Sequence, residues 1–212
     1  DLAFAVSFLS QFLNHPSKTH QEILVHTFRY VQHSKSFGLT LGNINPNHHH
    51  LVAYADASYA TGTSADSFAG SAVFHNGLIG WRCHKQNDNN APALSTTEAE
   101  YCACSESGQD VRWVEQLLDE LHPALSIEPK PVHLFCDNQG ALALLKNSIY
   151  QHRTRHINVR HHWLRHHIEA AKNFEASYIR TDQNLADFLT KPLAPKPTRL
   201  AISRVFLGGI SA

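Results

Sequence analysis

Methionine is absent from this chain, neither charge sign is in excess, and no apolar run is long enough to span a bilayer. A chain without methionine that starts at Asp1 reads as a fragment of something longer. Lysine plus arginine equals aspartate plus glutamate at 18 each, so net charge offers no case for nucleic acid. Only the placement of the charges could. Cysteine is scarce. Cys83, Cys102, Cys104 and Cys136 show neither C-x-x-C spacing nor disulfide-rich density, and read as reduced thiols in an intracellular protein. No signal-peptide pattern opens the chain. With 42% apolar and 17% charged residues over 212 positions, disorder throughout is excluded. One substantial domain plus an extra piece is the expectation. What is abundant is histidine, at 17 residues, many able to gain charge below about pH 6.5.

The pattern is organised around Leu51-Val52-Ala53-Tyr54-Ala55-Asp56-Ala57-Ser58, an unbroken apolar run ending in a carboxylate. A strand buried on both faces reads this way. An acid at its end is costly unless a partner or metal offsets it; the plainer reading is a turn-forming aspartate. Ahead of this run, apolar stripes predict helices over 2–13 and 18–32, the second turning Ile23, Leu24, Phe28 and Val31 inward. A short strand is predicted over 37–44, and His48-His49-His50 reads as solvated loop.

Beyond the central run, strands over 67–75 and 78–84 flank Asn76-Gly77, a strong hairpin signal, giving an antiparallel meander of three. Ser95-Thr96-Thr97-Glu98 fits a capping box. With Glu98 held at the cap, Glu100 is the acid free to face the sheet, since residues two apart on a helix point to different sides. That helix is expected to stop at Gly108, with another over 109–121 burying Val111, Val114, Leu117 and Leu118. Cys102 and Cys104 read as small core residues. A strand over 131–136 ends in Asp137, followed by Asn138-Gln139-Gly140 and a helix over 141–145. Strand, acid, helix brings a side chain to the carboxyl edge of a sheet.

Between positions 146 and 172 the charge balance breaks: Lys146, Arg153, Arg155, Arg160, Arg165 and Lys172 stand against Glu169 alone. This reads as a basic surface for a phosphate backbone, or as a solvated helix face. His162 and His166 sit four apart on a helix expected over 157–171, but no H-E-x-x-H pattern or third ligand accompanies them. A strand over 174–180 leads to a helix capped by Thr181 or Asp182, with Asp187 near its first turn, where the helix dipole favours an anion. Pro192, Pro195 and Pro197 end that helix, and 198–206 forms a short terminal one.

Asp56, Glu100, Asp137 and Asp187 are thus expected at one sheet edge. Converging carboxylates repel unless cations lie between them, and hard oxygen donors suit Mg²⁺ or Mn²⁺. Two such ions about 3.5–4 Å apart can activate a water and stabilise the leaving oxygen of a phosphodiester.

Taken in order, Tyr54-Ala55-Asp56-Ala57, Leu94-Ser95-Thr96-Thr97-Glu98-Ala99-Glu100-Tyr101 and Cys136-Asp137-Asn138-Gln139 resemble the RNase H domain of copia-type LTR retrotransposon polyproteins. Arg153-Thr154-Arg155-His156-Ile157 and Leu185-Ala186-Asp187-Phe188-Leu189-Thr190-Lys191-Pro192-Leu193 extend the resemblance over essentially the whole chain. Segment 1–45 resembles the end of the preceding reverse transcriptase, which leaves 46–212 as the RNase H-like domain. The resemblance implies an α/β, RNase H-like fold: a five-stranded mixed sheet of order 3-2-1-4-5 flanked by helices, with an N-terminal helical extension. It implies hydrolysis of the RNA strand of RNA/DNA hybrids to a 3′-hydroxyl and a 5′-phosphate, with two Mg²⁺ or Mn²⁺ ions per site. Asp56, Glu100, Asp137 and Asp187 would be the catalytic, metal-binding acids. Asn138, Gln139, Gln183, Arg153, Arg155 and Arg160 would contact nucleic acid. The implied partners are the hybrid and the reverse transcriptase of the same polyprotein, with no membrane, inside the cell in cytoplasmic virus-like particles.

One departure is visible. Many relatives carry a histidine in the loop before the last aspartate, where this chain has Arg180-Thr181-Asp182-Gln183. Two alternatives compete with the nuclease. A non-catalytic connection module supporting a reverse transcriptase need not keep all four acids. An integrase-like nuclease wants a late glutamate on a helix, and no motif surrounds Glu169 or Glu175.

Overall fold

The computed structural model describes residues 1–42, 51–61, 66–86, 93–125, 131–146 and 163–206. Strand β1 (Val52–Thr61) runs down the middle of a five-stranded sheet with β2 (Asp66–Phe74), β3 (Leu78–Gln86), β4 (Val132–Cys136) and β5 (Phe174–Tyr178). The order is β3-β2-β1-β4-β5. The β1–β2 and β2–β3 pairs are antiparallel, and the β1–β4 and β4–β5 pairs parallel. This is the RNase H-like mixed sheet that the resemblance implies.

Both faces of β1 are covered, which is why its apolar run has no polar alternation. Ala53 and Ala55 join Leu134, Cys136, Tyr101, Val111 and Leu164 under helices α3 (Thr96–Leu125), α4 (Gln139–Lys146) and α5 (Trp163–Glu169). Tyr54 faces the other way, packing with Ala72, Phe74, Leu185, Leu189 and Val205. That side is closed by α1 (Ala3–Ser10), by the segment after β5 and by α6 (Pro195–Phe206). Phe4 of α1 meets Phe68 of β2 edge to face, ring centroids 5.3 Å apart. No helix among the described residues is long and apolar enough to cross a membrane.

Several local expectations are corrected by packing. Helix α3 does not stop at Gly108 but runs unbroken from Thr96 to Leu125. The glycine serves a close approach: a Cβ there would lie 2.8 Å from Leu164 Cδ1 of α5. Helix α2 (Lys18–Ser34) has no buried residue, and Leu24, Phe28 and Val31 are exposed rather than inward. It adjoins α1, with His20 stacked on Phe12 at 3.8 Å, and among the described residues its main neighbour is α1 rather than the sheet. Residues 37–42 are irregular, not a strand; 43–44 and the triple histidine lie outside the described residues. Gly42 N–H donates to Asn76 O, so this segment is tied to the β2–β3 turn instead of to a strand edge.

That turn is the one the dipeptide signals, with φ of 58° at Asn76 and 126° at Gly77. A Cβ on Gly77 would also stand 2.6 Å from Thr40 O. Gly77→Ala therefore combines left-handed strain with a backbone clash. It is expected to lower stability by about 1–3 kcal/mol in urea unfolding. An unchanged midpoint would mean that segment 37–42 yields without loss.

Candidate active site

Asp56 lies within β1, not at its end, because the strand continues to Thr61. A buried carboxylate in mid-strand needs partners. Thr190 Oγ1 donates to Asp56 Oδ2, and Asn184 Nδ2 to Oδ1 at 3.4 Å and to Ala55 O at 3.0 Å. Asp56 is 1% exposed. Across the ladder it faces Gly70. A side chain at Gly70 would stand 2.7 Å from Thr190 Cγ2 and 2.9 Å from Leu189 Cβ. The bare backbone there lets segment 186–190 lie flat on β2 and deliver Thr190 to Asp56.

The helix expected around Asp187 is replaced by two short 3₁₀ turns, Thr181–Gln183 and Asp187–Leu189. Asn184 separates them with extended torsions, φ −70° and ψ 111°. Its side chain is committed on both ends, donating to β1 and accepting Ala186 N–H at 3.1 Å, so a continuous helix would break this clasp. Asp187 opens the second turn, too short to supply the helix dipole the sequence suggested.

Asp137 follows β4. The register pairs Tyr54 with Phe135, and the same offset continued by two residues sets Asp137 abreast of Asp56. From the opposite side comes α3. Ser95 Oγ accepts Glu98 N–H at 3.2 Å, as the capping box requires. Glu98 Oε2 accepts from Leu94 N–H at 2.9 Å, one residue further back than expected. Glu98 is thus held at the cap while Glu100 turns inward, 7% exposed. Ligand atoms of Glu100, Cys136 and Asp137 lie within 4.8 Å of one another. Cys136 Sγ is 3.7 Å from Glu100 Oε2. The four described thiols are all free.

The electrostatics express this crowding. Burial, and then Asp56, Cys136 and Asp137, push the Glu100 carboxyl up to about 11. Burial raises Asp56 to about 6, with Asp187 and Asp137 adding to it while Lys191 and Thr190 act in opposition. Asp187 is raised by burial, opposed by Lys191. The four acids therefore feel one another. The ammonium of Lys191 is ion-paired with Asp187, four residues before it.

The residues expected to touch nucleic acid are less uniform. Asn138 caps α4, its Oδ1 accepting Ala141 N–H at 2.9 Å. Gln139 and Gln183 are exposed. Arg153, Arg155, Arg160 and His162 lie outside the described residues, so the His162–His166 pair has no structural account. Arg165 does not belong to a basic surface: it is 7% exposed, its Nε donating to Leu144 O at 3.1 Å and its guanidinium 6.0 Å from the Tyr101 ring centroid. Asn184, Thr190 and Lys191 were not singled out from the sequence. Thr190 and Lys191 stand in the motif that carries Asp187, three and four residues beyond it. That spacing returns a side chain to the same side of a helical turn.

No protein-family model matches the chain. It is 36% identical over 193 residues to the retrovirus-related Pol polyprotein from transposon TNT 1-94 of Nicotiana tabacum, covering 90% of this chain and 14% of that protein. It is 33% identical over 196 residues to the corresponding polyprotein from transposon RE1 of Arabidopsis thaliana, covering 92% and 13%. The chain thus spans about a seventh of the length of these curated relatives. Among solved structures, LC11-RNase H1 in complex with RNA/DNA hybrid aligns with a TM-score of 0.44 at 13% identity, over 66% of this chain and 93% of that one. The sequence identity along nine-tenths of the chain and the 3-2-1-4-5 sheet agree: the chain belongs to the copia-type retrotransposon Pol polyproteins, as an RNase H-like domain of one.

Proposed function

We propose that this domain hydrolyses the RNA strand of RNA/DNA hybrids during reverse transcription, acting with the reverse transcriptase of the same polyprotein. The observation that carries this reading is the burial of Asp56 and Glu100 in one cluster with Asp137 and Asp187. Acids collected at such cost, with a single lysine paired to them among the described residues, are a donor set suited to hard divalent cations. Asp56, Glu100, Asp137 and Asp187 would hold Mg²⁺ or Mn²⁺. Bound there, such ions lower the pKa of water and offset charge on phosphoryl oxygens.

The protein's own share is positioning. Thr190 and Asn184 fix the Asp56 carboxylate, and the Ser95 cap fixes the start of α3 ahead of Glu100. In the reaction a water oxygen bonds to phosphorus as the bond to O3′ breaks. The proton given up by that water ends on the departing 3′ oxygen. Gln139 and Gln183, exposed beside the cluster's own segments, and Arg153, Arg155 and Arg160 would engage the hybrid.

The test is cleavage of a hybrid labelled on each strand, with single-stranded RNA and duplex DNA as controls. Cutting of the hybrid RNA alone, dependent on Mg²⁺ or Mn²⁺, is the expected result. Hybrid binding that weakens with salt but never leads to cutting would instead make this a tethering module of the polymerase.

A further inference from the structure

We propose that Lys191 is a tethered cation that neutralises the acid cluster while it lacks metal, and that divalent ions compete with it for Asp187. This rests on the metal-binding reading above and adds a competitor to it. Lys191 is ion-paired with Asp187, its side chain 35% exposed against 15% for its partner. Asp56 and Asp137 also act on the same ammonium through their charge, though only Asp187 is ion-paired with it. Among the described residues no other lysine or arginine forms an ion pair with any of the four.

The placement is built into the turn. Thr190 bridges to Asp56 while Lys191, the next residue, reaches back to Asp187. Pro192 follows directly, with its backbone angle restricted. An ammonium is a compact point charge on a flexible stem, able to leave when a stronger cation arrives. A divalent ion binding Asp187 would meet the positive charge of the ammonium already held at Oδ1. The two cations therefore oppose each other at that carboxylate. Each weakens the other's hold by the same factor, as linkage requires.

The experiment is direct titration of the whole chain with Mn²⁺, read by electron paramagnetic resonance of the free ion, for wild type, Lys191→Met and Lys191→Arg. Removing the competitor should tighten Mn²⁺ binding roughly three- to tenfold in Lys191→Met, with Lys191→Arg close to wild type. Melting in EDTA and in saturating Mn²⁺ gives a second readout. Lys191→Met should melt below wild type in EDTA, and the gap should close with metal. Equal Mn²⁺ affinity in wild type and Lys191→Met, or a melting gap unchanged by metal, overturns the inference while leaving the metal site standing. Binding of Mn²⁺ by none of the three proteins overturns the metal-site reading and this inference with it.

Discussion

Glu100→Gln is expected to reduce hybrid cleavage by roughly 10³-fold while leaving the melting temperature in EDTA at pH 7 unchanged. These two results rarely coincide for a buried residue. Here they follow from one fact: burial, then Asp56, Cys136 and Asp137, push the Glu100 carboxyl up to about 11, so the metal-free fold already holds it neutral. Glutamine has the same shape and no charge. What it cannot supply is a carboxylate once a cation arrives, so the rise in melting temperature on adding Mg²⁺ should shrink in the variant.

The pH dependence has a definite sign. Asp56 is raised to about 6 in the fold, above the ordinary carboxylate value. Its contribution is fully present below about pH 4 and is lost as pH rises through 6, on the order of 2–3 kcal/mol. The metal-free protein should therefore lose that increment between pH 4 and 7, and Asp56→Asn should flatten that part of the curve. Metal reverses the trend, because the cation replaces protons and binds more tightly as pH rises. If Glu100→Gln raises the EDTA melting temperature by several degrees, as relief of repulsion would, the carboxyl is ionised in the metal-free fold and this account of the cluster fails.

Gly70→Ala should be the most damaging single methyl group in the sheet. The added Cβ meets Thr190 Cγ2 at 2.7 Å and Leu189 Cβ at 2.9 Å, with Ala186 O at 3.2 Å. Thr190 and Leu189 are both 0% exposed, so neither has room to retreat. Overpacking of this kind costs about 1–3 kcal/mol, or roughly 3–10 °C in a chain of this size. Activity should fall beyond what stability explains, since the displaced segment carries Asp187, Thr190 and Lys191. Gly80→Ala is the matched control, because its new Cβ would meet Val73 Cβ at an ordinary 3.7 Å. Equal melting temperatures and equal cleavage for the two variants would sink the idea that Gly70 seats the segment over Asp56.

Much of this protein was legible in its residues because the deciding interactions are local. Asn76-Gly77 needs only its own torsions to set a hairpin, and the meander follows. Ser95 and Glu98 hold the start of α3 within a single turn, which leaves Glu100 as the inward acid. The apolar run around Tyr54 announced a strand covered on both sides, and the ordered motifs announced the family. The remainder depended on what lies across the fold. Nothing near Gly108 says that Leu164 will press on it, so a glycine that reads as a stop became a contact. Arg165 sits in a basic stretch, yet Leu144 and Tyr101 draw it inside. The stripe on α2 reads as buried, but a stripe is buried only where a partner surface meets it. The grip on Asp56 joins residues 128 and 134 positions apart. Sequence spacing determined which acids this chain owns; only tertiary packing decided that Asn184, Thr190 and Lys191 would hold them.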